Sequence, residues 1–298
     1  MSSLYTPRLT EHLTAIEKAL PDFLPNDGTL QDTVVHAMSY ACEGGGKRLR
    51  PVLVLEFCHL CGKNPRAALP FAAAIEMIHS YSLVHDDMPC MDDSELRRGK
   101  PSVHMAYGEA MALLTGDALL NRAFETALDA CVLEGVSPKA ALKAAWVLAH
   151  HAGIGGMIGG QVIDLECEGK TIDADTLKVL QEGKTAALIQ AACEMGCLVG
   201  EGTEQQVKAA GQFGYYLGLA FQIIDDILDV TSTAEQLGKP VGSDADNDKN
   251  TYVSLLGLEK ARTLAEEYTA KAVSALSAFG EQRADLTALA QTLLKRVS

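Results

Sequence analysis

The sequence predicts an all-α protein, a single domain built from about ten or more helices. Hydrophobic residues make up 48% of the 298 residues, which is enough for a substantial core. The apolar segments have helical spacing, and long alternations of β-branched and polar residues are absent. Neither a linker nor a low-complexity segment interrupts them, so we treat residues 1–298 as one domain.

Proline and glycine set the helix boundaries predicted for the first half of the chain. Pro21 and Pro25 end the first helix, the glycines at 44–46 end the second, and Pro51 suits the first turn of the third. Pro89 disfavours helical geometry at the residue before it and so ends the fourth helix. The predicted helices span residues 11–20, 30–41, 52–61, 67–87, 103–107, 109–114 and 117–133.

The second half continues with longer helices. Ser137 and Pro138 begin a helix that runs to about residue 152, and a glycine-rich passage at 153–160 allows two helices to pack closely. Residues 166–175 are predicted to form a loop, and residues 231–250 a loop or lid. The other predicted helices span 161–166, 175–200 with a kink at 183–185, 205–231, 255–279 and 285–294.

The net charge of −14 excludes broad classes of partner. It argues against a nucleic-acid surface and against attraction to anionic lipid. Anionic substrates would need local positive charge or metal ions. Residues 1–10 lack a signal pattern, and the apolar stretch 144–163 contains two His, one Gln and several Gly. We therefore expect no membrane association and a cytoplasmic location.

The eight cysteines are interpreted as buried free thiols, because most of them lie in apolar helical stretches. Cys58 and Cys61 have a spacing near that of zinc ligands, and so do Cys193 and Cys197. Each pair lacks a convincing partner pair, so a zinc site is the weaker interpretation.

Two acidic clusters follow strongly apolar segments. The first contains Asp86, Asp87 and Asp92, and the second contains Asp225 and Asp229. Asp86 and Asp92 converge only if the chain turns at Pro89, whereas Asp225 and Asp229 share one helix face. Buried carboxylates need cations, and Mg²⁺ binds one or two carboxylates together with substrate phosphate. The alternative is that the carboxylates cap helices or lie on solvated faces.

Basic residues occur near both the glycine turn and the first acidic cluster. Lys47, Arg48 and Arg50 follow flexible glycines, where two Arg and backbone N–H groups can grip a phosphate. The pair Arg97–Arg98 follows Asp92. It either forms salt bridges with the acidic cluster or binds, together with a metal ion, the same polyphosphate. The alternative for the first group is a basic turn on the surface.

Two histidines lie on the helix that leads to the first cluster. His79 is two turns before Asp86, on the same face, and is either a core residue or a phosphate ligand. His85 with Asp86 resembles the central pair of metal-dependent phosphohydrolases, which stays a rival interpretation.

The ordered set of motifs resembles the trans-isoprenyl diphosphate synthases, closest to the bacterial farnesyl diphosphate synthases. The resemblance rests on GGKRLRP at 45–51, DDxxxxD at 86–92, RRG at 97–99, GGQxxD at 159–164, KT at 184–185, FQxxDDxxD at 221–229 and GKxxGxDxxxxKxTY at 238–252. Glu95 stands where Asp is common in that family. The resemblance implies the isoprenoid synthase fold, an all-α bundle around a deep central cavity, and a homodimer.

The resemblance also implies site residues. Magnesium, expected as three ions with Mn²⁺ as an alternative, would be bound by Asp86, Asp87, Asp92, Asp225 and Asp229. The allylic diphosphate would contact Arg97, Lys184, Thr185, Gln222, Lys239 and Lys249, of which Thr185 and Gln222 would offer dipoles to the allylic cation. Isopentenyl diphosphate would contact Lys47, Arg50, His79 and Arg98.

The same resemblance implies head-to-tail condensation of isopentenyl diphosphate with dimethylallyl and geranyl diphosphate. Tyr81 lies five residues before Asp86, where an aromatic ring in this family indicates a fifteen-carbon product; the small Ser82 beside it would not limit the chain. The alternatives are a geranylgeranyl diphosphate synthase of the same fold, a metal-dependent phosphohydrolase, and a catalytically silent subunit. A silent subunit would be expected to lack an Asp cluster.

Overall fold

The computed structural model describes residues 4–25, 28, 30–43, 45–132, 135–231 and 250–295. The described chain is helical nearly throughout, as predicted. Its strands are β1 (Leu96–Arg97) and β2 (Lys100–Pro101), which pair antiparallel with Arg97 opposite Lys100. This small hairpin follows the first acidic cluster.

The helices of the described residues follow in chain order, with short 3₁₀ or π segments between some of them. The first seven are α1 (Pro7–Phe23), α2 (Asp32–Glu43), α3 (Leu49–Leu60), α4 (Leu69–Asp86), α5 (Val103–Tyr107), α6 (Glu109–Asp129) and α7 (Pro138–Ala152). The remaining seven are α8 (Met157–Glu166), α9 (Ala174–Gln181), α10 (Ala187–Val199), α11 (Glu204–Thr231), α12 (Tyr252–Leu256), α13 (Leu258–Ala275) and α14 (Ala284–Leu294). A 3₁₀ turn (Pro65–Ala68) precedes α4, a π-helical turn (Glu182–Ala186) joins α9 to α10, and a 3₁₀ segment (Leu276–Arg283) joins α13 to α14.

Several predicted boundaries were wrong: the helix predicted at 161–166 begins at Met157, and the one predicted at 255–279 is divided at Gly257. The first helix starts at Pro7, which suits a first turn, and continues past Pro21 into its last turn. The break predicted between residues 114 and 117 does not exist, because α6 runs through Gly116 without interruption. Gly116 makes room for a neighbouring ring instead: a Cβ there would lie 1.9 Å from Nε2 of His85.

The core surrounds α4, the helix that ends in the first acidic cluster. Nearly all of its side chains are buried, and it packs against α6, α3 and α1. In the described residues, the segment Pro65–Asp86 is long and apolar enough to cross a membrane, and 78% of its most apolar window is buried inside the protein. Its composition is explained by this central position. Buried side chains from Tyr5 to Leu293 join one core cluster.

The predicted kink at Gly183–Thr185 is the π-helical turn Glu182–Ala186. Glycines on two neighbouring helices let them approach this turn closely. A Cβ on Gly160 of α8 would lie 2.1 Å from the backbone nitrogen of Lys184, and one on Gly218 of α11 would lie 2.5 Å from Cα of Ala186. Close packing on both sides therefore fixes the turn that presents Lys184 and Thr185.

Arg48 does not serve the role that its place in the basic motif suggested. Its side chain is buried and turned inward, where Nη1 donates to Glu76 Oε1 at 2.6 Å and Nε donates to Glu17 Oε1 at 2.6 Å. Nη2 donates to the carbonyl of Cys42 at 2.6 Å. These bonds occupy the guanidinium and tie α1, α2 and α4 together, so the first arginine of the motif is a structural ion-pair partner.

Substitution of Arg48 tests this structural role. Arg48→Met should lower the free energy of unfolding by about 3–5 kcal/mol, because Glu76 is left as an unpaired buried charge. The double variant Arg48→Met, Glu76→Met should recover much of that loss. Urea unfolding measures both. Lys63→Met is the control, since its pair with Glu201 is partly exposed and worth at most about 1 kcal/mol. An Arg48→Met loss no larger than the control would contradict the assignment.

Candidate active site

The first acidic cluster is formed by the end of α4 and a tight turn. Asp86 and Asp87 are buried, and the chain reverses after Pro89. The backbone N–H of Asp92 donates to the carbonyl of Asp86 at 2.8 Å, and that of Ser94 donates to the carbonyl of Asp87 at 3.1 Å. The turn therefore returns Asp92 to the helix end, as the spacing predicted.

The two buried carboxylates have different partners. Asp87 accepts from Nε of Arg97 at 3.1 Å on both oxygens, and it also pairs with Arg97 Nη2. Asp86 accepts from Nε2 of Gln161 at 2.7 Å. Asp87 is thus already engaged by a guanidinium, whereas Asp86 keeps an oxygen outside that amide bond. The sequence pattern alone predicts no role for Gln161.

Charge compensation around Asp86 comes from the π-helical turn. Lys184 Nζ forms an ion pair with Asp164 of α8 and interacts electrostatically with Asp86. Burial raises the pKa of the Asp86 carboxyl, although Lys184 and Gln161 oppose that shift. Burial also disfavours the Lys184 cation, but Asp164 and Asp86 overcome this and raise the pKa of Lys184. Lys184 therefore stays protonated beside the cluster.

The second acidic cluster lies near the end of α11. Asp229 is buried and Asp225 is half-buried. Asp226 points elsewhere: its Oδ1 accepts from Gln222 Nε2 at 2.9 Å and its Oδ2 accepts from the backbone N–H of Tyr252 at 2.9 Å. Asp226 thus anchors the start of α12, a role that sequence reasoning missed.

Thr185 and Gln222 are bonded to each other. The Thr185 hydroxyl donates to Gln222 Oε1 at 2.9 Å, while the amide of Gln222 donates to Asp226. Both groups are therefore part of a network that joins the π-helical turn to α11 and α12. That their oxygen dipoles stabilise an allylic cation stays a prediction.

The basic residues predicted for the second substrate also gather near the clusters. Lys47 Nζ lies 4.8 Å from the ring centroid of Phe221, next to Gln222 on α11. Arg98 Nη1 donates to the carbonyl of Gly45, and its guanidinium fills the space where a Cβ of Gly46 would lie. The glycine turn therefore contacts the Arg97–Arg98 hairpin, and the adjoining Lys47 reaches α11 at Phe221, one turn before Asp225.

Arg50 and His79 complete this basic group. Burial, followed by the charges of Arg50 and Arg98, lowers the pKa of His79 well below its ordinary value, so His79 is neutral. Burial lowers the pKa of Arg50 to about 10, which leaves it charged at neutral pH. Nε of Arg50 is buried without a hydrogen-bond partner in the described part of the chain. An anion would suit this charged donor.

Two clefts flank the Asp86–Asp92 segment in the described residues. One is lined by residues that include Asp92, Asp164 and Asn250. The other is lined by residues that include Asp87, Arg97 and Arg98. Tyr81 lines neither of them, so the deep central cavity stays a prediction. Lys239 and Lys249 lie outside the described residues.

Tyr81 and Ser82 lie below the cluster on α4, and both are buried. The ring of Tyr81 packs edge-on against His85 with centroids 5.8 Å apart. Nε2 of His85 donates to the carbonyl of Leu113 at 3.1 Å, so that nitrogen is bound to α6. This contact disfavours the phosphohydrolase interpretation, in which His85 would bind a metal together with Asp86.

The residues present fit a divalent metal. The donors are hard carboxylate oxygens at the ends of two buried helices, and Asp86 retains a free coordination direction. In the described part of the chain, no three acidic, His or Cys side chains converge tightly enough to hold one ion alone. Substrate phosphate oxygens would therefore complete the coordination, which is the usual mode for Mg²⁺.

Comparison with known proteins agrees with this site. Residues 31–288 match the polyprenyl synthetase family. The chain is 45% identical over 257 residues to a farnesyl diphosphate synthase of Geobacillus stearothermophilus, covering 85% of each protein. It is 42% identical over 291 residues to a chloroplastic geranylgeranyl pyrophosphate synthase of Capsicum annuum, covering 97% of this chain and 78% of that protein.

A solved structure is similar as well. A geranyltransferase of Helicobacter pylori, complexed with magnesium and isoprenyl diphosphate, has a TM-score of 0.86 to this chain, with 34% sequence identity. The match covers 98% of this chain and 99% of that one. The fold and the site thus define a prenyltransferase of isoprenoid biosynthesis. The chain belongs to the polyprenyl synthetase family, the trans-prenyl diphosphate synthases.

The raised pKa of Asp86 predicts a stability cost in the metal-free protein. Asp86→Asn should raise the free energy of unfolding at neutral pH, because the folded state penalises the charged carboxylate. The penalty is complete above the raised folded-state pKa and absent below the unfolded-state pKa, so the gain should vanish in acid. Thermal unfolding in the presence of a chelator, at neutral pH and at a pH below the unfolded-state pKa, measures the stability gain of Asp86→Asn.

Asp92→Asn is the control for this prediction, because Asp92 is exposed and its substitution should change the unfolding free energy by no more than about 0.5 kcal/mol. If Asp86→Asn is less stable than the unsubstituted protein at neutral pH, burial is not the dominant influence on Asp86.

Proposed function

We propose that the protein condenses isopentenyl diphosphate head-to-tail with dimethylallyl and then geranyl diphosphate, releasing (2E,6E)-farnesyl diphosphate and diphosphate. The observation that carries the proposal is the meeting of two chemically distinct sets of residues. Carboxylates and Lys184 lie on one side, and the basic group of Lys47, Arg50, His79 and Arg98 lies on the other. Each of the two diphosphate substrates would be bound by one of these sets.

The carboxylates and Lys184 suit the allylic substrate, whose diphosphate group must leave. Ionisation of an allylic diphosphate places negative charge on the diphosphate, and preorganised cations lower the cost of that charge. Lys184 remains protonated there, and Arg97 is held in place by Asp87. Divalent ions bound by Asp86, Asp92 and Asp225, with Asp229 beside them, would neutralise further charge; we propose Mg²⁺, which the similar Helicobacter pylori structure contains.

The second set suits a substrate that is bound without being ionised. The buried Nε of Arg50 offers a directed donor, and neutral His79 can donate one N–H without adding charge. After the alkene attacks the allylic carbon, one proton must be lost, and we propose that the departing diphosphate accepts it. The apolar walls of α4 and α11 exclude water from the cation.

Tyr81 supports a fifteen-carbon product. It is buried on α4, beneath Asp86, and its ring is held by contact with His85. Its hydroxyl has no hydrogen-bond partner in the described residues, so the ring is held by packing alone. A geranylgeranyl product is the second candidate, because the similar proteins include synthases of both products. We propose a cytoplasmic location on the grounds of sequence.

Incubation with Mg²⁺, isopentenyl diphosphate and geranyl diphosphate should give farnesyl diphosphate, identified by chromatography of the dephosphorylated product. Asp86→Ala should lower turnover by at least about 10³-fold while leaving the helical circular-dichroism spectrum unchanged. Release of phosphate from one substrate alone, without condensation, would instead support the phosphohydrolase.

Substitution of Tyr81 tests the chain-length proposal separately. Tyr81→Ala should shift the main product from fifteen to twenty or more carbons, because the smaller side chain leaves room below the diphosphate site. Tyr81→Phe is the matched control and should keep the original product, since it retains the ring and removes only the unpartnered hydroxyl. An unchanged product in Tyr81→Ala would place the limit elsewhere.

We further propose a homodimer that forms through α6 and α7. Trp146 is 64% exposed and Leu142, one turn before it on α7, is 60% exposed. The neighbouring helix α6 exposes Leu113 and Leu128 to about half of their surface. Large apolar side chains on adjacent helices favour a protein partner, and a second copy provides the same surface.

Trp146→Glu should convert the dimer into a monomer, because it places charge at the centre of this surface. Light scattering after size-exclusion chromatography measures the mass. Val179→Glu is the control: Val179 is 52% exposed on α9, away from α6 and α7, and its substitution should leave the dimer intact. A monomeric unsubstituted protein would contradict the proposal directly.

A further inference from the structure

Two cysteine motifs meet in a region that the proposed reaction does not use. Cys61, just after α3, lies with Sγ 3.6 Å from Sγ of Cys197 on α10, although the two residues are 136 positions apart in sequence. Cys197 is buried, whereas Cys61 is partly exposed. A soluble reagent can therefore reach this sulfur pair through Cys61.

Close packing of the two helices brings the sulfurs together. Gly196 and Gly200 stand four residues apart and face α3. A Cβ on Gly196 would lie 2.4 Å from the carbonyl oxygen of Val54, and one on Gly200 would lie 3.0 Å from that of Cys58. Because the backbones touch, the short side chains of Cys61 and Cys197 can meet.

The arrangement is a pair of thiols and not a metal site. Sγ of Cys58 is directed to the carbonyl of Asn64 at 3.8 Å. Within the described ranges, no group of three or more His, Cys, Asp or Glu could hold an ion. The zinc spacing seen in the sequence therefore has another explanation.

We propose that Cys61 and Cys197 form a reversible intramolecular disulfide when the protein meets a peroxide. The Cys61 thiol reduces the peroxide to water or alcohol and becomes a sulfenic acid. The Cys197 thiol then attacks that sulfur, its proton leaves with the sulfenic hydroxyl as water, and the S–S bond forms. The sulfurs must approach by roughly 1.5 Å to reach a bond length of about 2.05 Å.

The position of the bridge predicts its effect. Both helices begin at the candidate active site, α3 beside Arg50 and α10 directly after the π-helical turn. The bridge joins their opposite ends, about 18 Å away for helices of this length. It should therefore leave turnover within about twofold and stabilise the fold by restricting the unfolded chain across a long loop.

The test treats the purified, reduced protein with hydrogen peroxide, blocks the remaining thiols and maps crosslinked peptides by mass spectrometry. We expect a 61–197 crosslink, a higher thermal midpoint and full reversal of both by dithiothreitol. Cys61→Ser should abolish the crosslink and the rise in midpoint. Cys58→Ser is the matched control, three residues before Cys61 in the last turn of α3, and should keep both.

Several outcomes would overturn the proposal. They are oxidation confined to the exposed Cys90, a crosslink that survives in Cys61→Ser, or over-oxidation of Cys61 without a crosslink. Because mass and unfolding are measured without substrate, these outcomes are independent of whether the protein makes farnesyl diphosphate.

Discussion

Burial of carboxylates at the end of an apolar helix is the constraint on which the site depends. Asp86 and Asp87 are nearly inaccessible to water, and burial raises the pKa of both. Charged groups are tolerated there only because cations and donors surround them. Arg97 reaches Asp87 from the hairpin, Gln161 reaches Asp86 from α8, and Lys184 adds charge from the π-helical turn. The carboxylates can therefore be buried at the end of α4 only when the hairpin, α8 and the π-helical turn pack around them.

The π-helical turn allows Lys184 and Thr185 to reach the first acidic cluster and α11. One extra residue in a helical turn changes the direction of the following side chains, and such turns often occur at functional sites. Here Lys184 points towards the first cluster, while Thr185 bonds Gln222 on α11. Gly160 on one side and Gly218 on the other leave no room for a Cβ, which holds the turn in place.

Local signals explain which features could be predicted from sequence. Pro138 and Pro89 mark a helix start and end because proline restricts backbone geometry wherever it occurs. Gly116 carries no such unambiguous signal: it looked like a helix break, but it lies inside α6 to receive the ring of His85. Arg48 was grouped with phosphate ligands because its motif is basic. Only the fold shows that Glu17 and Glu76 occupy it.

Asp226 shows why residue type alone does not assign a role. It stands between two predicted metal ligands, yet its oxygens bond Gln222 and the backbone of Tyr252. The Nδ2 group of Asn250 donates to the carbonyls of Cys167 and Lys170, and Asn250 also lines the cleft that contains Asp92 and Asp164. Asn250 and Tyr252 are therefore both held by hydrogen bonds at the candidate site. Asp226, which looks like a third metal ligand in the sequence, thus serves to hold Tyr252 in place, because its two oxygens accept from Gln222 and from the Tyr252 backbone.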